Sequence, residues 1–162
     1  MTSDPTAGPI TDDDGPIAGA SILIVDDNEQ NRELIEAYLE DLGCAIRTAG
    51  DGVEAIESVQ ASPPDLVLLD VMMPRMSGFQ ACARLKSAAA TKDIPIVMLT
   101  ALNEVNDVER AVESGADDFL TKPVNKLELL TRVRSLLRVR ELRKKLDRTL
   151  DQVRRLGGAS EG

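Results

Sequence analysis

The chain predicts an α/β fold built on a single parallel sheet, and three observations predict it. Five strand-like runs, Ser21–Val25, Cys44–Ala49, Asp65–Asp70, Ile94–Thr100 and Asp118–Thr121, recur at intervals of about 20 to 25 residues. Each is followed by a stretch of helical period, and alternation of this kind specifies right-handed βαβ units. The third run, Leu66-Val67-Leu68-Leu69, is apolar without alternation and bounded by Pro63-Pro64. A strand of that kind is buried on both faces, as a parallel sheet covered by helices requires.

The elements follow in order. Residues 1–20 are Pro, Gly, Asp, Thr and Ala with little periodicity, an acidic leader expected to be disordered; Asp12-Asp13-Asp14 reads as a solvated charge run. Ser21–Val25 is the first strand, ended by Asp26-Asp27. Asn28 opens a helix with Leu34, Ile35, Tyr38, Leu39 and Leu42 on one face, and Gly43 stops it. Cys44–Ala49 is a weakly alternating strand. Asp51-Gly52 makes a turn into a short helix with Val53, Ile56 and Val59 inward. After the central strand come a loop, Val71–Ser77, and a helix from about Gly78 to Ala88. Ile94–Thr100 is the fourth strand. Asn103 caps a helix with Val105, Val108 and Val112 inward, ended by Gly115. Asp118–Thr121 runs into Lys122-Pro123.

The last helix, from Lys126, meets no Gly or Pro until Gly157. Its first half, with Leu127, Leu130, Val133, Leu136 and Leu137, packs on the sheet. Its second half carries Val139, Leu142, Leu146, Thr149, Val153 and Leu156 at alternating spacings of three and four, an a/d seam with Leu150 beside the weak Thr149 position. This gives residues 21–138 as the body, 139–157 as a helical, coiled-coil extension and 158–162 as a flexible tail. A homodimer through residues 139–156 is the expected use of the seam, helped by the body because short coiled coils are marginal.

Composition excludes several chemistries. The 162 residues include no histidine, which removes His-based acid/base catalysis, the Ser-His-Asp arrangement and most zinc sites. Cys44 and Cys82 lack CxxC spacing and read as reduced, buried hydrophobes. No run approaches the roughly 18 apolar residues of a membrane span, and no signal-peptide pattern opens the chain, so a cytoplasmic protein is expected. No glycine-rich nucleotide-binding fingerprint follows any strand. The net charge is −9, yet residues 126–155 hold 11 of the 19 Lys and Arg and only four acids. An acidic body does not attract nucleic acid, and the basic helix lacks a partner recognition helix, so no nucleic-acid binding is expected.

The strand ends carry the chemistry. Parallel strands all end at one edge, so Asp26 and Asp27, Asp70, Thr100 and Lys122 converge on one crevice. Three carboxylates repel one another, and a hard divalent cation, Mg²⁺, relieves that repulsion beside a phosphate. Asp70 is then free to act as a carboxylate nucleophile toward phosphorus, with Lys122 and Mg²⁺ clamping the transferred group and Thr100 donating a hydrogen bond.

The motifs LIVDDN (Leu23–Asn28), LVLLDVMMPRMSG (Leu66–Gly78), IPIVMLTA (Ile94–Ala101) and GADDFLTKPV (Gly115–Val124) resemble those of the receiver domains of two-component response regulators. The resemblance covers residues 21–138. It implies a flavodoxin-like, doubly wound five-stranded sheet of order 2-1-3-4-5. It implies that Asp70 accepts a phosphoryl group from the phosphohistidine of a sensor histidine kinase or phosphotransfer protein. Asp26, Asp27 and Asp70, with the backbone carbonyl of Met72, would hold Mg²⁺; Lys122 would bind a phosphoryl oxygen; the Lys122-Pro123 bond would be cis. Thr100 and Phe119 would form the switch pair, Phe119 turning inward as Thr100 moves. Met72 and Leu102 would flank the path of attacking water, and both are apolar, which implies slow self-dephosphorylation. The basic heptad helix resembles the linker after receivers of diguanylate cyclases. That leaves two alternatives to a free-standing switch: the front module of a longer cyclase or kinase, and an unphosphorylated pseudo-receiver acting as a binding module.

Overall fold

The structure, a computed structural model, describes residues 17–101 and 105–161, and of residues 105–108 and 158–161 the backbone alone. Leu102 and the Asn103 cap lie outside the described residues, as does the leader up to residue 16 and the inward placement of Val105 and Val108.

Five parallel strands form one sheet: β1 (Ser21–Val25), β2 (Ala45–Ala49), β3 (Leu66–Asp70), β4 (Ile96–Thr100) and β5 (Asp118–Thr121), in the order β2-β1-β3-β4-β5. This is the expected flavodoxin-like arrangement. Among the described residues five helices connect and cover it: α1 (Glu29–Leu39, closing in a 3₁₀ turn to Leu42), α2 (Gly52–Ala61), α3 (Gly78–Ser87), α4 (Val105–Glu113) and α5 (Lys126–Glu161). The chain direction across the sheet reverses between β1 and β3, and the crevice outside their C-terminal ends is where such sheets bind ligands.

Local chemistry sets the helix starts. Asn28, Asp51 and Ser77 each accept an N–H three residues on through the side chain, and Ser77 with Gln80 completes a reciprocal capping box. Gly43 closes α1 with a positive φ of 69°, a conformation glycine enters at no steric cost.

β1, β3 and β4 are the centre of the sheet and are buried on both faces. Leu23, Val67, Leu69 and Met98 pack under α2 and α3, and Ile22, Ile24, Leu68 and Leu99 pack under α1 and α5. Several inward expectations shift by a residue or two. Leu34 is 48% exposed, Val112 65% and Leu127 73%; Ala111 and Leu129 are buried instead. Val53 is only half-buried while Ala55 is buried. At Ala111 and Ala55 the smaller side chain takes the buried place, and Leu127 gives way to an equal residue, Leu129, by helix phase alone.

α5 is a single helix that outruns the sheet. Its inward stripe is Leu130, Val133 and Leu137, and the same stripe continues as Arg140 and Lys144. Arg140 Nε and Lys144 Nζ both reach Asp65 Oδ1, at 3.3 and 3.0 Å, and Arg140 Nη1 donates to the Asp93 carbonyl at 3.1 Å. Asp65 also accepts the Ser21 N–H. Burial pushes the Asp65 carboxyl up, but these donors outweigh it and hold it below the usual value. A depressed pKa contributes stability that is fully present above 3.8 and is lost as pH falls through the folded-state value. Asp65→Asn should therefore lower stability by about 1 kcal/mol near neutrality, because the cluster is partly exposed. The gap to wild type in thermal melts should close below pH 3.8; a gap independent of pH would rule the ion cluster out. Among the described residues no helix is long and apolar enough to cross a membrane.

Candidate phosphoacceptor site

Sequence places an acid, a hydroxyl or a lysine at each central strand end, and the sheet register brings them together. Asp70 ends β3 beside Leu99, and Thr100 pairs with Thr121 one residue before Lys122. The Lys122 N–H donates to the Thr100 carbonyl at 2.7 Å, which carries the lysine over the strand ends. The Lys122-Pro123 peptide is cis, as the sequence motif implied.

Asp26 and Asp70 are buried and Asp27 is exposed, with carboxylate oxygens of all three within 4.8 Å of one another. Lys122 Nζ lies 2.9 Å from Asp70 Oδ1 and 3.2 Å from Asp26 Oδ2. The second Asp26 oxygen accepts the Asn28 N–H at 2.8 Å, and its carbonyl accepts from Arg32 at 2.7 Å. Burial, then the neighbouring charges of Asp26 and Asp27, lifts the Asp70 carboxyl above the ordinary range against the pull of Lys122. Burial would lower the Lys122 ammonium, but its bond to Asp70 and the charge of both buried acids raise it. One ammonium faces three carboxylates, so the donor set is all hard oxygen with excess negative charge. That is the chemistry a small divalent cation satisfies.

The loop after Asp70 is held tightly. Gly78 donates its N–H to the Val71 carbonyl at 2.9 Å, and a Cβ on Gly78 would stand 2.2 Å from the Asp70 carbonyl oxygen. Arg75 has a φ of 66° and its guanidinium pairs with Asp51, the N-cap of α2. Met72 presents its side chain to solvent, 65% exposed, on this loop. Thr100 is buried. Phe119, paired with Met98 on β5, is 37% exposed, so its ring is not buried in the core.

The side chains of Asp26, Asp27, Asp70 and Lys122 therefore meet in one place, and Thr100 ends the neighbouring strand. Sequence reasoning missed the Arg75–Asp51 bridge and the contact of Gly78 with Asp70. The first joins residues 24 apart whose charges look like ordinary surface groups. The second has a signal, a glycine eight residues past the acid in a Pro/Met/Ser loop, but the same glycine also marks a helix start.

Comparison with known proteins follows the same geometry. Residues 22–134 match the family model described as the response regulator receiver domain. Response regulator PleD of Caulobacter vibrioides is 44% identical over 138 residues, covering 85% of this chain and 30% of PleD. The DNA-binding dual master transcriptional regulator RpaA of Synechocystis is 44% identical over 117 residues, covering 72% of this chain and 48% of RpaA. The chain thus spans less than half the length of these relatives. Among solved structures it is similar to the receiver domain of sensor histidine kinase PA1611 from Pseudomonas aeruginosa, which holds a magnesium ion in its active site cleft. That match has a TM-score of 0.69 at 32% identity, covering 74% of this chain and 98% of the other. With the fold, the strand-end chemistry and the matched length in agreement, the chain belongs to the receiver-domain family of response regulators.

Proposed function

We propose that residues 21–138 form a phosphorylation-controlled switch in which Asp70 takes a phosphoryl group from the phosphohistidine of a sensor histidine kinase or phosphotransfer protein, in the cytoplasm. The observation that carries this reading is the single ammonium of Lys122 seated between Asp70 and Asp26. It holds the acceptor carboxylate in place and supplies positive charge where phosphoryl oxygens arrive. An Asp70 oxygen attacks phosphorus, the P–N bond to the donor imidazole breaks, and its electron pair leaves on nitrogen. Asp26, Asp27 and Asp70, with the Met72 carbonyl, are the residues that would hold Mg²⁺, and the similar Pseudomonas receiver carries that ion in its cleft. When bound, the ion offsets the negative charge that gathers at the phosphoryl oxygens.

An apolar recess of about 370 Å³ opens beside Asp26 and Lys122, walled by Leu34, Ile35, Leu99, Ala101, Pro123 and Val124. It gives a donor protein an apolar surface next to Asp26 and Lys122, with the half-exposed Leu34 in its wall. Thr100 and Phe119 are the proposed switch pair. The half-exposed Phe119 corresponds to the state before Thr100 is drawn to a phosphoryl group. Residues 139–157 are the output extension: the event at Asp70 leaves through the outward apolar stripe of α5.

Incubation with acetyl phosphate and magnesium, read on a phosphate-affinity gel, tests the acceptor. Wild type should shift and Asp70→Asn should not; an Asp70→Asn protein labelled like wild type would end this reading and favour a binding module. The apolar Met72 leaves attacking water without a partner. Met72→Asn should accelerate loss of the label about tenfold, a barrier change of roughly 1.4 kcal/mol; an unchanged decay rate would remove Met72 as the timing residue.

A further inference from the structure

The body dictates which way the extension faces. Arg140 and Lys144 continue the inward stripe of α5 and are tied to Asp65, so the helix cannot roll about its axis without breaking that cluster. Val139, Leu142, Leu146, Val153 and Leu156 then lie on the opposite side, pointing away from the sheet; Leu142 is 58% exposed and Leu146 57%. An apolar stripe of this length requires a cover.

The residues flanking the stripe name the cover. With Val139, Leu142, Leu146, Thr149, Val153 and Leu156 as alternating a and d positions, the e and g positions are Arg138, Arg143, Lys145, Leu150 and Gln152. Three are cationic and none is acidic. The acids Glu141, Asp147 and Asp151 occupy b, c and f positions, away from the stripe. Partner choice in coiled coils is set at e and g. Two parallel copies of this helix would set Arg138 of each chain against Arg143 of the other. Two fully overlapped antiparallel copies would set Arg143 against Leu150 and Lys145 against Gln152, which gives neither cation an acid. The parallel arrangement repels itself and the antiparallel one offers no attraction, so the heptad pattern lacks the flanking charges a homodimer needs.

We infer that the outward stripe of residues 139–156 docks an acidic amphipathic helix of a different protein, apolar at its own a and d positions and carrying Glu or Asp at e and g. This rests on the stripe being the output surface, and does not depend on Asp70 chemistry. The acids supply the attraction that a second copy cannot, and they select the partner before the apolar contact forms.

The test uses the full chain and two synthetic four-heptad peptides identical at a and d, one with Glu and one with Lys at every e and g. Binding is read by fluorescence anisotropy of the labelled peptide, with and without magnesium and beryllofluoride, beside sedimentation of the chain alone. The expected result is a monomeric chain that binds the Glu peptide about tenfold or more tighter than the Lys peptide in at least one of the two states. Binding should weaken with salt. Arg143→Glu combined with Lys145→Glu should reverse the preference; both side chains are exposed, so the fold is expected to survive. A chain that dimerises alone, with dimerisation lost in Leu142→Asp and Leu146→Asp, assigns the stripe to a second copy and overturns the proposal. Equal binding of both peptides, or of neither in either state, overturns it as well. Phosphate-affinity gels on the same samples score Asp70 separately, so failure of the acceptor reading cannot be mistaken for failure of the docking.

Discussion

Gly78→Ala is expected to destabilise the protein by about 3 kcal/mol or more and to abolish phosphoryl acceptance. The new Cβ would stand 2.2 Å from the Asp70 carbonyl oxygen and 2.9 Å from both the Asp70 carbonyl carbon and the Val71 Cα. All three are backbone atoms, so no flexible side chain can swing aside. Relief requires either that α3 withdraw, breaking the 2.9 Å bond from Gly78 N–H to the Val71 carbonyl, or that the end of β3 shift. The second route moves the acceptor carboxylate itself, because Asp70 ends a strand held on both sides by β1 and β4. Urea unfolding should report the loss of stability, and beryllofluoride binding should report the loss of the site. Gly157→Ala serves as the control, since a Cβ there meets nothing within 4 Å and alanine favours a helix by up to about 1 kcal/mol. A Gly78→Ala protein within 0.5 kcal/mol of wild type, roughly the range of a neutral surface change, would show that the contact is not tight.

That contact marks where sequence stops being sufficient. The central strands were legible because burial on both faces leaves an unbroken apolar run, as in Leu66–Leu69. The site was legible because parallel strands must end together, so acids at the ends of β1 and β3 and the lysine after β5 have one place to meet. Helix phase was less legible. Leu127 and Leu129 are equally apolar in sequence, and only the approach of α5 to the sheet selects Leu129 for burial. Val112 lost its predicted place for the same reason, the smaller Ala111 fitting beneath α4. Long-range polar links left no local trace. Asp65 and Arg140 are 75 residues apart and each reads alone as a surface charge. Their pairing nevertheless fixes which side of the extension faces out. The heptad spacing and its flanking cations are visible in the sequence, but that the stripe faces away from the sheet follows only from Arg140 and Lys144 being held at Asp65.

Lys122→Ala is expected to lower the stability of the metal-free protein by about 3 kcal/mol, and magnesium should restore much of it. The side chains of Asp26 and Asp70 are 3% and 6% exposed, so water compensates poorly for the ammonium that lies 3.2 and 2.9 Å from them. Removing it leaves buried carboxylates facing each other and Asp27 with no cation between them. The same excess charge makes the vacated crevice a better site for a divalent ion. The rise in melting temperature on adding magnesium should therefore be larger for Lys122→Ala than for wild type, by mass action on the folded state. Phosphoryl acceptance should still fall a hundredfold or more, on the order of the loss of one preorganised charge partner. Linkage gives a second check. The Lys122 pKa is raised by its acidic partners, so its contribution is fully present below 10.5 and is lost as pH rises through the folded-state value above that. Wild-type stability should thus decline at strongly alkaline pH, and the decline should be absent in Lys122→Ala. Equal magnesium increments in the two proteins, together with parallel alkaline profiles, would mean that Lys122 does not neutralise the acids and that the crevice is held together by other means.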